Sequence, residues 1–180
     1  ADYPTPLGDL KELGLETEPR NRQVFFGLDR AQGNESSDDT ALSTLLKFHL
    51  DDTSYFALSN VSSFPESSGE KILETIESES ERLDQDIEKI AMESYQALDL
   101  SRRAERLDQV KEVELTSATR SRQKEMFTLL KTLMSEGRLF ISSEFSELLL
   151  ELKNFGYDGS KFGGLKKDGS GVRVMTGFTL

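Results

Sequence analysis

The sequence contains no cysteine, no tryptophan and one histidine, and each shortage removes a class of chemistry. Without cysteine there is no disulfide, no thiolate zinc site and no cysteine nucleophile. The one histidine, His49, lies in Leu45-Leu46-Lys47-Phe48-His49-Leu50, which reads as a strand. We expect a strand histidine there, not a catalytic base, and a Ser-His-Asp triad is hard to build around it. No apolar run reaches the about 18 residues that a membrane-spanning helix needs. The opening ADYPTPLGDL has neither the basic start nor the apolar stretch of a secretion signal. A protein that is neither secreted nor membrane-bound is the expectation. The pattern GxxxxGK(S/T) does not occur, so no P-loop lies in the chain. Basic residues are also in short supply: 22 Lys and Arg face 33 Asp and Glu, a net charge of −11. That argues against tight, unconditional nucleic-acid binding, because affinity for phosphates rests on cations. Acid–base or metal chemistry in this chain has to come from carboxylates.

At 180 residues the chain is long enough for one domain with a real core. Residues 1–21 are polar and broken by Pro4, Pro6, Gly8, Gly14 and Pro19, and read as a linker or arm. The domain itself is expected over 22–180. Strand one is predicted over 23–30, a loop over 31–39, strand two from Thr40 to Leu50, a turn at Asp51-Asp52, and strand three from Tyr55 to Val61. A helix follows from Gly69 to Asp86, with Ile72, Leu73, Ile76 and Leu83 at helical spacing and a Glu-rich solvated face. Ile87 to Glu93 reads as strand four, Leu98 to Gln109 as a short helix, and Val113 to Leu115 as strand five. The clearest helix runs from Ser121 to Glu136. Its apolar face is Met126, Phe127, Leu129, Leu130, Leu133 and Met134, and Gly137 stops it. Arg138 to Ile141 is a small strand and Phe145 to Lys153 another helix, whereas no element is assigned to GSKFGGLKKDGSG. The order β-β-β-α-β-α-β-α indicates an α/β domain: an antiparallel meander plus parallel strands in one mixed sheet, flanked by helices. That is the plan of ribonuclease H-like folds.

Two acids carry the functional reading. Val24-Phe25-Phe26-Gly27-Leu28 ends in Asp29, and Lys89-Ile90-Ala91-Met92 ends in Glu93. A carboxylate at the end of a buried strand is costly unless it meets a cation or caps the loop that follows. In the predicted sheet the two strand ends lie side by side. Two convergent carboxylates suit a hard divalent cation and point to phosphodiester cleavage.

Three stretches resemble the C-terminal nuclease domain of the large terminase subunit, the motor of tailed bacteriophages. FFGLDRAQGNESSDDTAL resembles that family's first strand, small-residue loop and second strand. IAMESYQALDL resembles the strand with the second acid. TSATRSRQKEMFTLLKTLMSEGRLFISSEFSELLLELKNFGYD resembles a Lys-containing helix, Gly-Arg-Leu, a short strand, a Leu-rich helix and an aromatic strand. The resemblance spans Gln23 to Leu180. It implies Asp29 and Glu93 as ligands of Mg²⁺ or Mn²⁺, a two-ion mechanism, and Asp39 as an auxiliary acid. It also implies double-stranded DNA as substrate, an ATPase domain elsewhere in the polypeptide, and a portal and small terminase subunit as partners. The place of action would be the host cytoplasm during virus assembly, and the isolated domain would be a monomer.

One departure stands out. The family ends on a His-Asp-Asp-like run, and this chain has Gly171-Val172-Arg173-Val174-Met175 there. Asp168 is the nearest acid and is taken as the third catalytic ligand. Asp158 is the other candidate, a plain turn aspartate in Lys167-Asp168-Gly169 is a third reading, and a missing ligand is a fourth. Lys161, Lys166 and Lys167 flank the position and are expected to contact DNA, as are Arg102 and Arg103. Arg106 and Arg173 lie in the same two clusters, and Arg120, Arg122 and Lys124 form a third around the start of the long helix. For Arg102 to Arg106 the competing expectation is pairing with acids on a solvated face. Phosphate contacts carry no sequence information, so cutting is expected to be sequence-nonspecific. Two other functions compete: a nuclease-like domain that has lost cutting and docks on DNA, and another ribonuclease H-like enzyme such as a junction resolvase.

Overall fold

The computed structural model describes residues 22–30, 39–65, 68–94, 98–117, 119–142, 144–153, 155–157, 162–165 and 171–172. The expected arm, most of the 31–39 loop and most of the Gly/Lys-rich stretch lie outside the described residues.

Strand β1 (Arg22–Asp29), β2 (Thr40–Leu50) and β3 (Thr53–Phe64) make the antiparallel meander. Asp51 and Asp52 turn the chain between β2 and β3 at φ of 48° and 63°, a region that short polar side chains tolerate. β3 is longer than its apolar stretch suggests. It pairs with β2 from Leu50↔Thr53 to Thr40↔Phe64, with a shift in register at Thr44/Leu45. Backbone pairing, not hydrophobicity, carries its polar end.

Helix α1 (Gly69–Leu83) crosses to β4 (Lys89–Glu93), which pairs parallel with β1. α2 (Leu98–Ala104) leads to β5 (Val113–Thr116), parallel to β4. α3 (Arg120–Ser135) leads to β6 (Leu139–Ile141), which pairs parallel with β3, and α4 (Ser146–Lys153) follows. The sheet order is β5-β4-β1-β2-β3-β6, the mixed ribonuclease H-like arrangement that the element order predicts.

Period-two alternation sorts the strands between two cores. Val24, Phe26, Leu28, Leu42, Leu46, Phe48, Ile90 and Met92 face α1 and α2, where Ile72, Ile76, Leu100 and Ala104 complete one core. Leu45, Phe56 and Leu58 face the other way and meet Leu130 and Leu133 of α3 and Leu148 of α4.

Several boundaries differ from the sequence reading, each for a local reason. α1 stops at Leu83, not Asp86, because Asp84 adopts the left-handed conformation and its N–H turns back to Glu81 O at 3.1 Å. Ile87 bridges Val110 alone, so β4 begins at Lys89. α2 ends at Ala104 rather than Gln109, where i→i−3 bonds such as Leu107 N→Ala104 O replace the helix ladder. Leu129 is 40% exposed and does not belong to the inner face of α3. A separate antiparallel sheet joins β7 (Phe155–Tyr157), at the aromatic strand that the third motif implies, to β8 (Phe162–Leu165), inside the stretch given no element, and to β9 (Gly171–Val172), which begins at that stretch's last residue. Gly163 and Gly164 supply no side-chain pattern there, so pairing with Gly156 and Phe155 decides the strand.

The Glu-rich face of α1 is not wholly solvated. Glu79 is 7% exposed and faces the sheet in line with Ile72, Ile76 and Leu83. It accepts hydrogen bonds from Thr44 Oγ1 (2.9 Å), Asn60 Nδ2 (2.8 Å), Arg82 Nε (3.0 Å) and Arg82 Nη2 (2.9 Å). Burial works to raise its carboxyl; the donors of Arg82, Thr44 and Asn60 outweigh that and hold it below its ordinary value.

Candidate metal centre at one edge of the sheet

The β1–β4 register settles where the two acids stand. Phe25 pairs with Lys89 and Leu28 with Met92. One more step along both strands places Asp29 beside Glu93, on neighbouring parallel strands about 4.8 Å apart. In-register residues of parallel strands project to the same face. Leu28 and Met92 belong to the α1/α2 core, so Asp29 and Glu93 project to the opposite face, at the C-terminal edge. Both are half-buried.

The row beneath them on that face is small. Gly27 is in register with Ala91 and with Ser43, whose hydroxyl donates to Gly27 O at 3.4 Å. The carboxylates are therefore not crowded from below. On β5, Thr116 stands opposite Glu93, and its hydroxyl donates to Met92 O at 3.3 Å. Asp39 belongs to the same edge. It lies just before Thr40, shares the face of Ala41, which pairs with Asp29, and accepts a hydrogen bond from Ser63 Oγ at 3.3 Å.

A charged strip runs inward along the same face. Lys89 meets Glu114 of β5 at 2.9 Å and Glu112 at 3.6 Å, and Glu114 also faces Arg122 of α3 at 3.7 Å. The bond to Glu114 holds the Lys89 ammonium above its ordinary value against partial desolvation. These contacts seat the first turn of α3 over β5. Its cap is Thr119, whose Oγ1 accepts from Arg122 N at 3.2 Å. The sequence reading missed this strip, although strand parity carries its signal: Lys89, Ala91 and Glu93 alternate with Ile90 and Met92.

Arg102 and Arg106 are exposed and Arg103 is half-buried; among the described residues none of them makes an ion pair. The expectation that they pair off with surface acids is thus not met. His49 lies at the far end of β2, near the opposite edge, with Ser54 Oγ 3.3 Å from its Nδ1. Asp168, Asp158, Lys161, Lys166, Lys167 and Arg173 lie outside the described residues.

The donor set fits a hard divalent ion in part. Two carboxylates on adjacent strand ends, sharing a face, offer oxygen ligands of the kind such an ion takes. Among the described residues no group of three or more His, Asp or Glu is gathered closely enough to hold a metal alone. Asp29 and Glu93 are the described residues at this edge whose oxygens such an ion could take.

The mixed sheet, with its flanking helices, has the ribonuclease H-like arrangement. No protein-family model matches the chain, and no curated protein matches it. Solved structures do. The large-terminase nuclease domain of thermophilic phage G20c, with bound magnesium, superposes with a TM-score of 0.56 at 17% identity, over 81% of this chain and 74% of that one. The P22 large-terminase nuclease domain gives 0.54 at 16% identity, over 89% and 77%. The nuclease domain of the bacteriophage SPP1 large terminase, with bound Mn, gives 0.53 at 12%, over 83% and 75%. At these identities the likeness is one of fold, and it is the fold that the sequence motifs imply.

Proposed function

We propose that this chain is a metal-dependent, sequence-nonspecific DNA endonuclease domain of a viral genome-packaging terminase, cutting concatemeric double-stranded DNA. The observation that supports the reading most is the parallel register of β1 and β4, whose last pair, Leu28 with Met92, stands one residue before Asp29 and Glu93. The fold shared with terminase nuclease domains, two of them solved with Mn or magnesium bound, supports it. In this reading Asp29 and Glu93 hold Mg²⁺ or Mn²⁺, two ions in all, with Asp39 as an auxiliary acid and Asp168 as the third ligand. The metal, when bound, supplies Lewis acidity at the phosphate and lowers the pKa of a coordinated water. The chain's own part is positional. Parallel strands fix both carboxylates, and the Gly27–Ala91 row leaves room for them. Lys161, Lys166, Lys167, Arg102 and Arg103 contact DNA phosphates. The ATPase domain of the same polypeptide, the portal and the small terminase subunit are the proposed partners, and the host cytoplasm the place of action.

The test is incubation of the purified protein with supercoiled plasmid in Mn²⁺, Mg²⁺ or EDTA, beside Asp29→Asn and Glu93→Gln. Metal-dependent nicking that disappears in both variants is the expected result. Activity only on branched DNA would instead indicate a resolvase. No cutting in any metal would indicate a domain that docks on DNA without cleaving it.

A further inference from the structure

We propose that the substrate duplex straddles the carboxylate edge of the sheet, with one backbone held from the α2 face and the other from the α3 face. The inference rests on the nuclease reading for the identity of the ligand and on the following geometry for its placement.

On the α1/α2 face, α2 begins just after Glu93. A Cβ built on Gly69, the first residue of α1, would lie 3.0 Å from Arg103 Nη1 and 3.7 Å from Leu100. α1 starts just past Phe64, which pairs with Thr40 at the edge where Asp29 pairs with Ala41. Gly69 therefore sits at the carboxylate edge, and the Arg103 guanidinium is folded up against it. Arg102 beside it is exposed.

On the other face, β5 ends at Thr116, opposite Glu93, and α3 starts at Arg120. The Arg122–Glu114 contact pins that first turn to the face that carries Asp29 and Glu93. Arg120 and Lys124 are both exposed, and their i,i+4 spacing puts them on one stripe. No ion pair is made by Arg102, Arg103, Arg120 or Lys124 among the described residues.

Packed layers lie about 10 Å apart, so α2 and α3 stand about 20 Å from one another across the sheet. That span is comparable to the width of a DNA duplex, and a single strand cannot reach both. The opposite edge carries the reverse charge. Asp51 and Asp52 turn there, and Glu81, Asp84, Asp86 and Glu88 line an open groove of about 820 Å³ with Arg22 and Lys111. A chain of net charge −11 thus presents cations to a polyanion from both faces of one edge and acids from the other.

The experiment is fluorescence anisotropy of the whole chain with a short labelled duplex, and with one of its single strands, in EDTA over a salt series. The variants are Arg102→Glu/Arg103→Glu, Arg120→Glu/Lys124→Glu, their Lys counterparts at Arg102, Arg103 and Arg120, and Asp51→Asn/Asp52→Asn. Each Glu pair should weaken duplex binding about tenfold and flatten the salt slope by about 1–2. The Lys variants should bind like the unaltered chain, the Asn pair should change affinity less than about twofold, and the single strand should respond to one Glu pair only. Duplex affinity unmoved by either Glu pair, in a variant that still melts cooperatively, overturns the straddling arrangement. Plasmid cutting is read separately: binding that behaves as described without cutting removes the nuclease reading and keeps the docking mode. Cutting with binding indifferent to one Glu pair does the reverse.

Discussion

Thr44 of β2 and Glu79 of α1 are joined by a 2.9 Å hydrogen bond across the helix–sheet interface, on the face of the sheet opposite the carboxylate pair. Asn60 and Arg82 complete the ring of donors around the same carboxylate, at the register shift between β2 and β3. A buried carboxylate with all its donors in place ties the crossover helix to the middle of the sheet.

Replacing either partner leaves the other buried and short of a bond. Glu79→Ala is predicted to cost about 1–3 kcal/mol and Thr44→Val somewhat less. Urea unfolding of the single and double variants would check this. A double variant whose loss equals the sum of the singles would show that the two groups do not interact.

The same carboxyl sets an acid limit. Its folded value is lowered below the ordinary 4.5, so between those two values the unfolded chain binds the extra proton. The stability that Glu79 contributes is therefore fully present above about pH 4.5 and is lost as pH falls through the folded value. The stability gap between the unaltered chain and Glu79→Gln should be flat above about pH 5.5 and close on further acidification. Denaturation midpoints over a pH series read this directly; a gap that widens in acid would contradict it.

In the proposed site Asp29 and Glu93 share the metal. In EDTA, Asp29→Asn and Glu93→Gln are predicted to melt close to the temperature of the unaltered chain. Saturating Mn²⁺ should raise the melting temperature of the unaltered chain, by linkage worth about 2.7 kcal/mol at a hundredfold excess over the dissociation constant. The same ion should leave both variants unmoved. Equal metal shifts in all three proteins would remove these residues from the site.

Gly137 follows α3 at φ 66°, and its N–H donates to Met134 O at 3.2 Å. A methyl group there would meet nothing within 4 Å, so only the backbone resists it. Gly137→Ala is predicted to cost about 1 kcal/mol, with cutting and metal binding unchanged. Thermal melts measure the first and the plasmid assay the second.

Much of this protein is legible in local pattern, because local pattern is what determines which face of an element can be wet. Val24, Phe26 and Leu28 alternate toward one core, Ile72, Ile76 and Leu83 repeat at helical spacing, and Gly137 marks a helix end. Each follows from the period of a strand or helix or from the conformational freedom of glycine. The acid closing each of two apolar runs is a statement of the same kind.

Tertiary structure alone decided the rest. Nothing near Asp29 specifies that Leu28 pairs with Met92, and without that register the two acids are separate strand ends. Glu79 reads as one more solvated glutamate of α1 until the sheet brings Thr44 and Asn60 to it. The Lys89–Glu114–Arg122 strip needs β4, β5 and α3 assembled before its charges meet. Side-chain period is a property of neighbours in the chain. Register, burial of a charge and convergence of ligands are properties of neighbours in space, and long-range strand pairing creates those.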